Sequence, residues 1–181
     1  MDNQQVENFN HEVILDHIQS EHFKPSRTVL IAVDDSQNTI HSIQFAINHL
    51  LNSTTDQIVL IHARAKESSQ LYLPILNAAN PLFNAYKSSI TEFMKHEKTL
   101  SNSLLKDLGQ MFIQKGFNVR GISTAGDPRL VIQHKIDILH PDFVVMASHG
   151  KGMVARAILG SVSSYVLNNS KVPVLIVPFS E

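Results

Sequence analysis

From Arg27 onward, the sequence alternates short apolar, β-branched runs with longer segments whose apolar residues recur at helical spacing. This alternation is typical of βαβ units, in which helices connect parallel strands. Five strands are predicted, over residues 28–33, 57–63, 117–123, 142–147 and 172–177. Four helices are predicted, over 37–52, 83–115, 127–140 and 161–169. The pattern therefore predicts an α/β fold with a Rossmann-like, open, five-stranded parallel sheet and helices on both faces.

The length of 181 residues and the 43% hydrophobic content suit one domain with a substantial core. We assign residues 27–181 to this domain and residues 1–26 to a polar N-terminal extension. The extension is interpreted either as disordered or as a short docking helix with Val13, Ile14 and Ile18 on its apolar side. Residues 64–82 have no clear period, and they are interpreted either as a lid or interface piece or as a variable surface insertion.

The charge balance and the apolar runs exclude several classes of partner. A formal net charge of −1 gives no general attraction to nucleic acid or to anionic membranes. The longest apolar runs, 29–33 and 143–147, are far shorter than the roughly 20 residues that span a bilayer. The first five residues do not resemble a secretory signal, so a cytoplasmic location is predicted.

The sequence also lacks the usual catalytic patterns. With no cysteine, disulfides and thiolate nucleophiles are excluded. Neither a P-loop nor a Gly-x-Ser-x-Gly elbow occurs, and the ten histidines are scattered without a metal-binding spacing. His149, beside the glycine-bearing loop, is interpreted either as a hydrogen-bond donor or weak general acid or as a half-exposed residue without a role. No catalytic residue and no metal site are predicted, so the protein is not expected to be an enzyme.

Glycine is concentrated where the predicted sheet should bind a ligand. All seven glycines lie between residues 109 and 160, and Gly150, Gly152 and Gly160 lie between the fourth strand and the last helix. A glycine-bearing loop that ends at a helix N-terminus, with Ser161 as its cap, favours binding of phosphate. In such sheets the ligand crevice lies beyond the carboxyl ends of the strands, here at Asp34 and Ala147.

The segment 146–163 resembles the signature Gly-x2-Gly-x9-Gly-Ser of the universal stress protein family. The resemblance continues in 33–36 (Val-Asp-Asp-Ser), in 126–128 (Gly-Asp-Pro) and in the last predicted strand, so that it covers about 27–178. Ala147 stands where the signature has its first glycine. Because 143–147 is a continuous apolar strand, we expect Ala147 to be the last residue of that strand, where alanine fits the backbone.

Membership of that family implies an ATP- or AMP-binding domain with strand order 3-2-1-4-5, with or without Mg²⁺, that acts in the stress response with at most slow ATP hydrolysis. By position, Asp34 would hold the ribose and Ala32, Val33 and Ala63 would wall the adenine. The phosphates would lie against Gly150, Gly160, Ser161, Val162 and Ser163. Met146, Ala147 and Ser148 complete the predicted nucleotide-binding residues.

The family also implies a homodimer, and the last strand supports it independently. Residues 172–177 are apolar on both faces and should form an exposed edge of the sheet, which pairing with a second copy would cover. Two hypotheses follow. The protein is a nucleotide-dependent sensor or regulator, or it is a nucleotide-free homodimeric interaction module that binds an unknown protein through 64–82 or 1–26.

Overall fold

The computed structural model describes residues 11–19, 23–64, 81–150 and 159–178. Strands and helices alternate along most of this part of the chain. In chain order they are β1 (His11–His17), β2 (Arg27–Ala32), α1 (Gln37–His49), β3 (Asp56–Arg64), α2 (Pro81–Ile113), β4 (Asn118–Ala125), α3 (Pro128–Leu139), β5 (Phe143–Ala147), α4 (Ser161–Asn169) and β6 (Val174–Val177).

The described strands form one sheet in the order β1-β4-β3-β2-β5-β6. Strands β2 to β6 run parallel, whereas β1 pairs antiparallel with β4. The prediction of five strands in the order 3-2-1-4-5 is therefore wrong, because it omits β1. Without β1, the parallel strands follow the order β4-β3-β2-β5-β6.

Strand β1 lies in the segment that was interpreted as disordered or helical. Its three apolar residues stand between acidic residues and histidines, and a bulge between Val13 and Leu15 interrupts the alternation that would mark a strand. Ion pairs with nitrogen–oxygen distances of 2.9 Å hold it at both ends, Glu12 with Lys98 of α2 and Asp16 with Arg120 of β4. Long-range contacts, and not local pattern, determine this strand.

Helices cover both faces of the sheet, as predicted. On one face, α1 and α2 enclose an apolar core that contains Ile31, Ile43, Leu60 and Phe112. On the other, α3 and α4 pack on the alternate side chains of the same strands. The described helices include none that is long and apolar enough to cross a membrane.

Leu15 attaches β1 to the domain by lying against two glycines, Gly109 in α2 and Gly121 in β4. A Cβ atom at Gly121 would stand 3.3 Å from the Leu15 Cβ, and one at Gly109 would overlap the Leu15 Cδ2. The absence of side chains at these two positions therefore makes room for the side chain that fixes β1.

We expect Gly109→Ala to lower the free energy of unfolding by about 1–3 kcal/mol, because the new methyl group overlaps Leu15. Helix propensity alone favours alanine over glycine and would raise the free energy of unfolding by about 0.5–1 kcal/mol. In a Leu15→Ala background the overlap disappears, so the same substitution should be stabilising. Urea unfolding followed by circular dichroism measures all four proteins, and stabilisation in the wild-type background would contradict the packing of Leu15 on Gly109.

Candidate functional site

A cavity of about 290 Å³ opens at the carboxyl ends of β2, β3 and β5. The first residues of α3 and α4 complete its wall. Its described lining comprises Ala32, Val33, Asp34, Thr39, Ile61, His62, Ala63, Pro128, Ile132, Met146, Ala147, His149, Gly150, Gly160, Ser161, Val162 and Ser163. The structure thus brings together all the predicted binding residues except Ser148. The volume is close to the lower end of the range of small-molecule sites, roughly 300–1,000 Å³.

Asp34, two residues after the end of β2, is held by the start of α1. Its Oδ1 accepts hydrogen bonds from the Ser36 amide at 3.2 Å, the Ser36 hydroxyl at 2.5 Å and the Thr39 hydroxyl at 2.6 Å. The Ser36 hydroxyl also caps α1 by accepting from the Thr39 amide. These contacts fix one carboxylate oxygen of Asp34.

The second oxygen of that carboxylate, Oδ2, lies against Gly150. A Cβ atom at Gly150 would overlap it, so only glycine fits here without a shift of Asp34 or of the loop. The neighbouring His149 carbonyl accepts a hydrogen bond of 3.0 Å from Asn38 of α1. The loop that follows β5 is therefore packed directly on the loop that follows β2.

Ser148 is buried behind the cavity and positions other lining residues. Its carbonyl accepts from the Gly160 amide at 2.7 Å and from the Ser163 hydroxyl at 2.9 Å, and its amide donates to the Val177 carbonyl. Its backbone thus ties the start of α4 to β5 and β6. The prediction placed Ser148 in the binding set because it belongs to the signature, but the described wall of the cavity does not include it.

Helix α4 begins at Ser161, and its N-cap is Gly160, whereas the sequence predicted Ser161. Because glycine has no side-chain acceptor, it leaves the amides of the first turn without the usual cap. Ala147 is the last residue of β5, as predicted, and among the described non-glycine residues only His140 has a positive φ. Alanine is therefore unstrained at the position of the signature's first glycine.

The sequence did not assign Thr39, Ile61, His62, Pro128 and Ile132 to the site. Ile61 and His62 directly precede Ala63, which was predicted, and Pro128 belongs to the Gly-Asp-Pro turn. The sequence therefore indicated these three positions only through the predicted residues and motif next to them. Asp34 is the only acidic or basic side chain in the described lining, histidines apart. Lys151 and Arg156, on the predicted phosphate loop, lie outside the described residues. No group of three potential metal ligands occurs in the described part of the chain.

A model of the Universal stress protein family matches residues 25–178. The chain belongs to this family. Universal stress protein MJ0577 of Methanocaldococcus jannaschii is 27% identical to it over 146 residues, which cover 74% of this chain and 86% of that protein. An uncharacterised Schizosaccharomyces pombe protein, C167.05, is 25% identical over 84% of this chain, which spans only 23% of that larger protein.

Solved universal stress proteins share the fold. The MJ0577 structure superposes with a TM-score of 0.69 at 19% identity, covering 86% of this chain and 97% of that one. A universal stress protein family protein from Arabidopsis thaliana, solved with AMP bound, gives a TM-score of 0.57 at 18% identity and covers 85% and 92%. A universal stress protein in complex with cAMP gives 0.60 at 20% identity and covers 85% and 98%.

Proposed function

We propose that the cavity binds an adenine nucleotide, ATP or AMP, and that the protein acts in the stress response as a nucleotide-dependent sensor or regulator. The observation that carries the proposal is the convergence of Asp34, the apolar strand ends and the uncapped start of α4 on one cavity. A ribose needs an acceptor for its hydroxyls, a base needs apolar walls, and phosphate is stabilised by helix amides. Universal stress proteins solved with AMP and with cAMP bound support the same class of ligand.

The donors and acceptors suit binding better than catalysis. The described lining offers no lysine or arginine to stabilise charge on a transferring phosphoryl group, which efficient phosphoryl transfer requires. We therefore propose at most slow ATP hydrolysis. In this proposal, any Mg²⁺ at the site binds together with ATP. The cytoplasmic location stays a prediction from the sequence.

We further propose a homodimer in which β6 pairs with β6 of a second copy. Strand β6 lies at the edge of the described sheet, bonded on one side to β5. Its residues Val174, Leu175 and Ile176 are only partly buried, so a paired edge would remove apolar surface from water. Pro173 precedes the strand, and because proline cannot donate a ladder hydrogen bond, β6 is shorter than the predicted 172–177.

Titration calorimetry with AMP, and with ATP plus Mg²⁺, tests the proposed nucleotide binding. We expect Asp34→Asn to weaken AMP binding about tenfold, because the carboxylate loses the charge that strengthens its hydrogen bonds to the ribose hydroxyls. Asp35→Asn is the matched control, since Asp35 is exposed, lies outside the lining and loses the same charge. Absence of heat from either nucleotide, with folded wild-type protein, would overturn the proposal and favour the nucleotide-free interaction module.

A further inference from the structure

Helix α2 is longer than the sheet, and its described buried residues lie in its second half. Its 33 residues extend about 50 Å, whereas the 9 residues of β3 extend about 30 Å. None of residues 88–100 is buried, but from Ser101 onward one side of the helix lies in the core, as at Leu105 and Phe112. Ser101 is therefore the first buried residue among the described side chains of α2.

Three hydrogen-bonding side chains join α2 to the sheet at this boundary. The Nδ1 of His62, in β3, lies 2.7 Å from the Ser101 hydroxyl, and that hydroxyl lies 2.8 Å from the Ser123 hydroxyl of β4. Both serines are 0% exposed. His62 follows Ile58 and Leu60 on the face of β3 that packs in the core beneath α1 and α2. The hydrogen-bonded chain therefore lies between α2 and two strands.

Counting hydrogens assigns a direction to this chain. In the described part of the protein, neither serine hydroxyl has another hydrogen-bond partner. If Nδ1 donated to Ser101, Ser101 would donate to Ser123, and the hydrogen of Ser123 would be buried without an acceptor. In the opposite direction, Ser123 donates to Ser101 and Ser101 donates to Nδ1, so that every hydrogen is used. The neutral ring of His62 therefore carries its proton on Nε2.

Protonation of His62 disrupts this arrangement at the atom that faces α2. The added proton goes to Nδ1, which can then no longer accept from Ser101. Ser101 must turn to accept from Nδ1 and donate to Ser123, and the hydrogen of Ser123 loses its acceptor. The positive charge of the ring is also buried beneath the helix. Protonation therefore weakens the attachment of α2 at Ser101.

The surrounding charges do not cancel the effect of burial. Four charged side chains act on His62: Asp34, Asp35, Glu97 and Arg64. Burial lowers the pKa of His62, and Arg64 lowers it further, whereas the three carboxylates raise it without outweighing burial. Strand β4 presents only uncharged side chains on this face, and Glu12 of β1, opposite Ser123, is paired with Lys98 of α2 at 2.9 Å. The attachment is therefore intact at pH 7 and weakens as pH falls below about 6.5, the ordinary histidine value.

We propose that His62, Ser101 and Ser123 form a pH-sensitive latch, which holds α2 at the start of its buried half and releases it when His62 is protonated. Residues 88–100 bury no side chain, and the exposed ion pair between α2 and β1 adds little to their attachment. The latch thus couples pH to the position of a half-helix that carries the exposed Phe93. This inference does not depend on the proposed nucleotide binding.

Hydrogen exchange measured by mass spectrometry tests the release. Protection factors, which correct for the intrinsic effect of pH on exchange, are compared at about pH 7 and about pH 5 for a peptide over residues 97–105. We expect protection to fall about tenfold in the wild-type protein, because a buried hydroxyl loses its acceptor, and to stay constant over 143–147 in β5. Unchanged protection over 97–105 would overturn the proposal.

Three variants assign the release to the latch. In Ser101→Ala, residues 97–105 should exchange about tenfold faster at pH 7 and lose no further protection at about pH 5. Ser103→Ala is the matched control and should behave as wild type, because Ser103 is exposed on the same helix and lies outside the latch. His62→Asn keeps an uncharged acceptor for Ser101 and should not respond to pH. A loss in His62→Asn equal to that in wild type would mean that another group drives the release, which overturns the proposal.

Titration of His62 in the wild-type protein tests the latch even if a variant does not fold. In protein labelled with ¹⁵N at histidine, a two-bond ¹H–¹⁵N correlation reports which ring nitrogen is protonated, and nuclear Overhauser contacts with Ser101 assign the signals. We expect a proton on Nε2 alone at pH 7, and protonation of Nδ1 over the pH range in which residues 97–105 lose protection. A proton on Nδ1 at pH 7, or titration outside that range, would contradict the latch.

Discussion

Asp56→Ala is expected to lower the free energy of unfolding by about 3 kcal/mol. The Asp56 side chain is 0% exposed and accepts from Arg27 Nε at 2.9 Å and from Arg27 Nη2 at 2.6 Å. It also accepts from the Asn52 amide at 2.8 Å and the Thr55 hydroxyl at 2.9 Å. Removing one partner of such a pair costs about 3–5 kcal/mol. We expect a loss at the low end of this range, because the Arg27 side chain is 40% exposed and water can hydrate its guanidinium group once Asp56 is removed.

The exposed pair of Asp16 and Arg120 provides a matched control for that substitution. Both side chains are more than 40% exposed and their nitrogen–oxygen distance is 2.9 Å, so Asp16→Ala should cost less than about 1 kcal/mol. Urea unfolding followed by circular dichroism measures both variants. Equal losses for Asp56→Ala and Asp16→Ala would show that burial of the Asp56 carboxylate adds nothing to the contribution of the pair.

The ion pair of Asp56 and Arg27 also makes the free energy of unfolding depend on pH, in a direction that follows from the pKa of Asp56. Burial raises the pKa of Asp56, but the hydrogen bonds from Arg27, Asn52 and Thr55 outweigh it, so the pKa in the folded protein is lowered. A lowered pKa contributes stability that is fully present above the unfolded value of about 3.9 and is lost as pH falls through the folded value. The stability difference between wild type and Asp56→Ala should therefore be constant from pH 7 to 5 and shrink below about pH 4. A difference that does not change down to about pH 2 would contradict this linkage.

Most of the parallel part of the sheet is predictable because β2, β3, β5 and β6 contain local apolar runs. The helices were also predicted closely: 37–52 corresponds to Gln37–His49, and 161–169 matches α4. Strand β1 was not predictable, because its place depends on Leu15 meeting two glycines that lie about a hundred residues further along the chain. The local hydrophobic pattern predicts which side chains of a strand or helix are buried. It does not predict which distant residue leaves space for them.

In the candidate site, too, some residues are predictable from local sequence pattern and others depend on contacts between distant residues. Strand ends and the glycine-bearing signature predicted Asp34, Gly150 and Gly160, since the ends of parallel strands meet at one edge of a sheet. The hydrogen-bonded chain from His62 was not predictable, because it joins three elements whose residues are 39 and 22 positions apart. In the sequence, His62 stands out at the end of an apolar run, but Ser101 and Ser123 lie among other polar residues and give no signal.

Gly160→Val is expected to weaken AMP binding at least 100-fold, to the limit of detection by calorimetry. Gly160 is buried and lines the cavity, and its amide donates to the Ser148 carbonyl at 2.7 Å. A valine side chain would take volume from a cavity of about 290 Å³ and would place a β-branched residue at the N-cap of α4, where it is disfavoured. Undiminished binding by a folded Gly160→Val protein would exclude the start of α4 from the nucleotide site.

Gly150→Ala separates the role of Asp34 from that of cavity volume. The new methyl group overlaps Asp34 Oδ2, and the carboxylate cannot swing away cheaply because Ser36 and Thr39 hold its Oδ1. Displacing Asp34 should weaken AMP binding about tenfold, which corresponds to about 1.4 kcal/mol. In an Asp34→Ala background the methyl group would contact none of the residues that the structure describes, so Gly150→Ala should then have no further effect. An equal loss in both backgrounds would mean that Gly150 acts on the ligand directly, through its own backbone, and that its contact with Asp34 is incidental to binding.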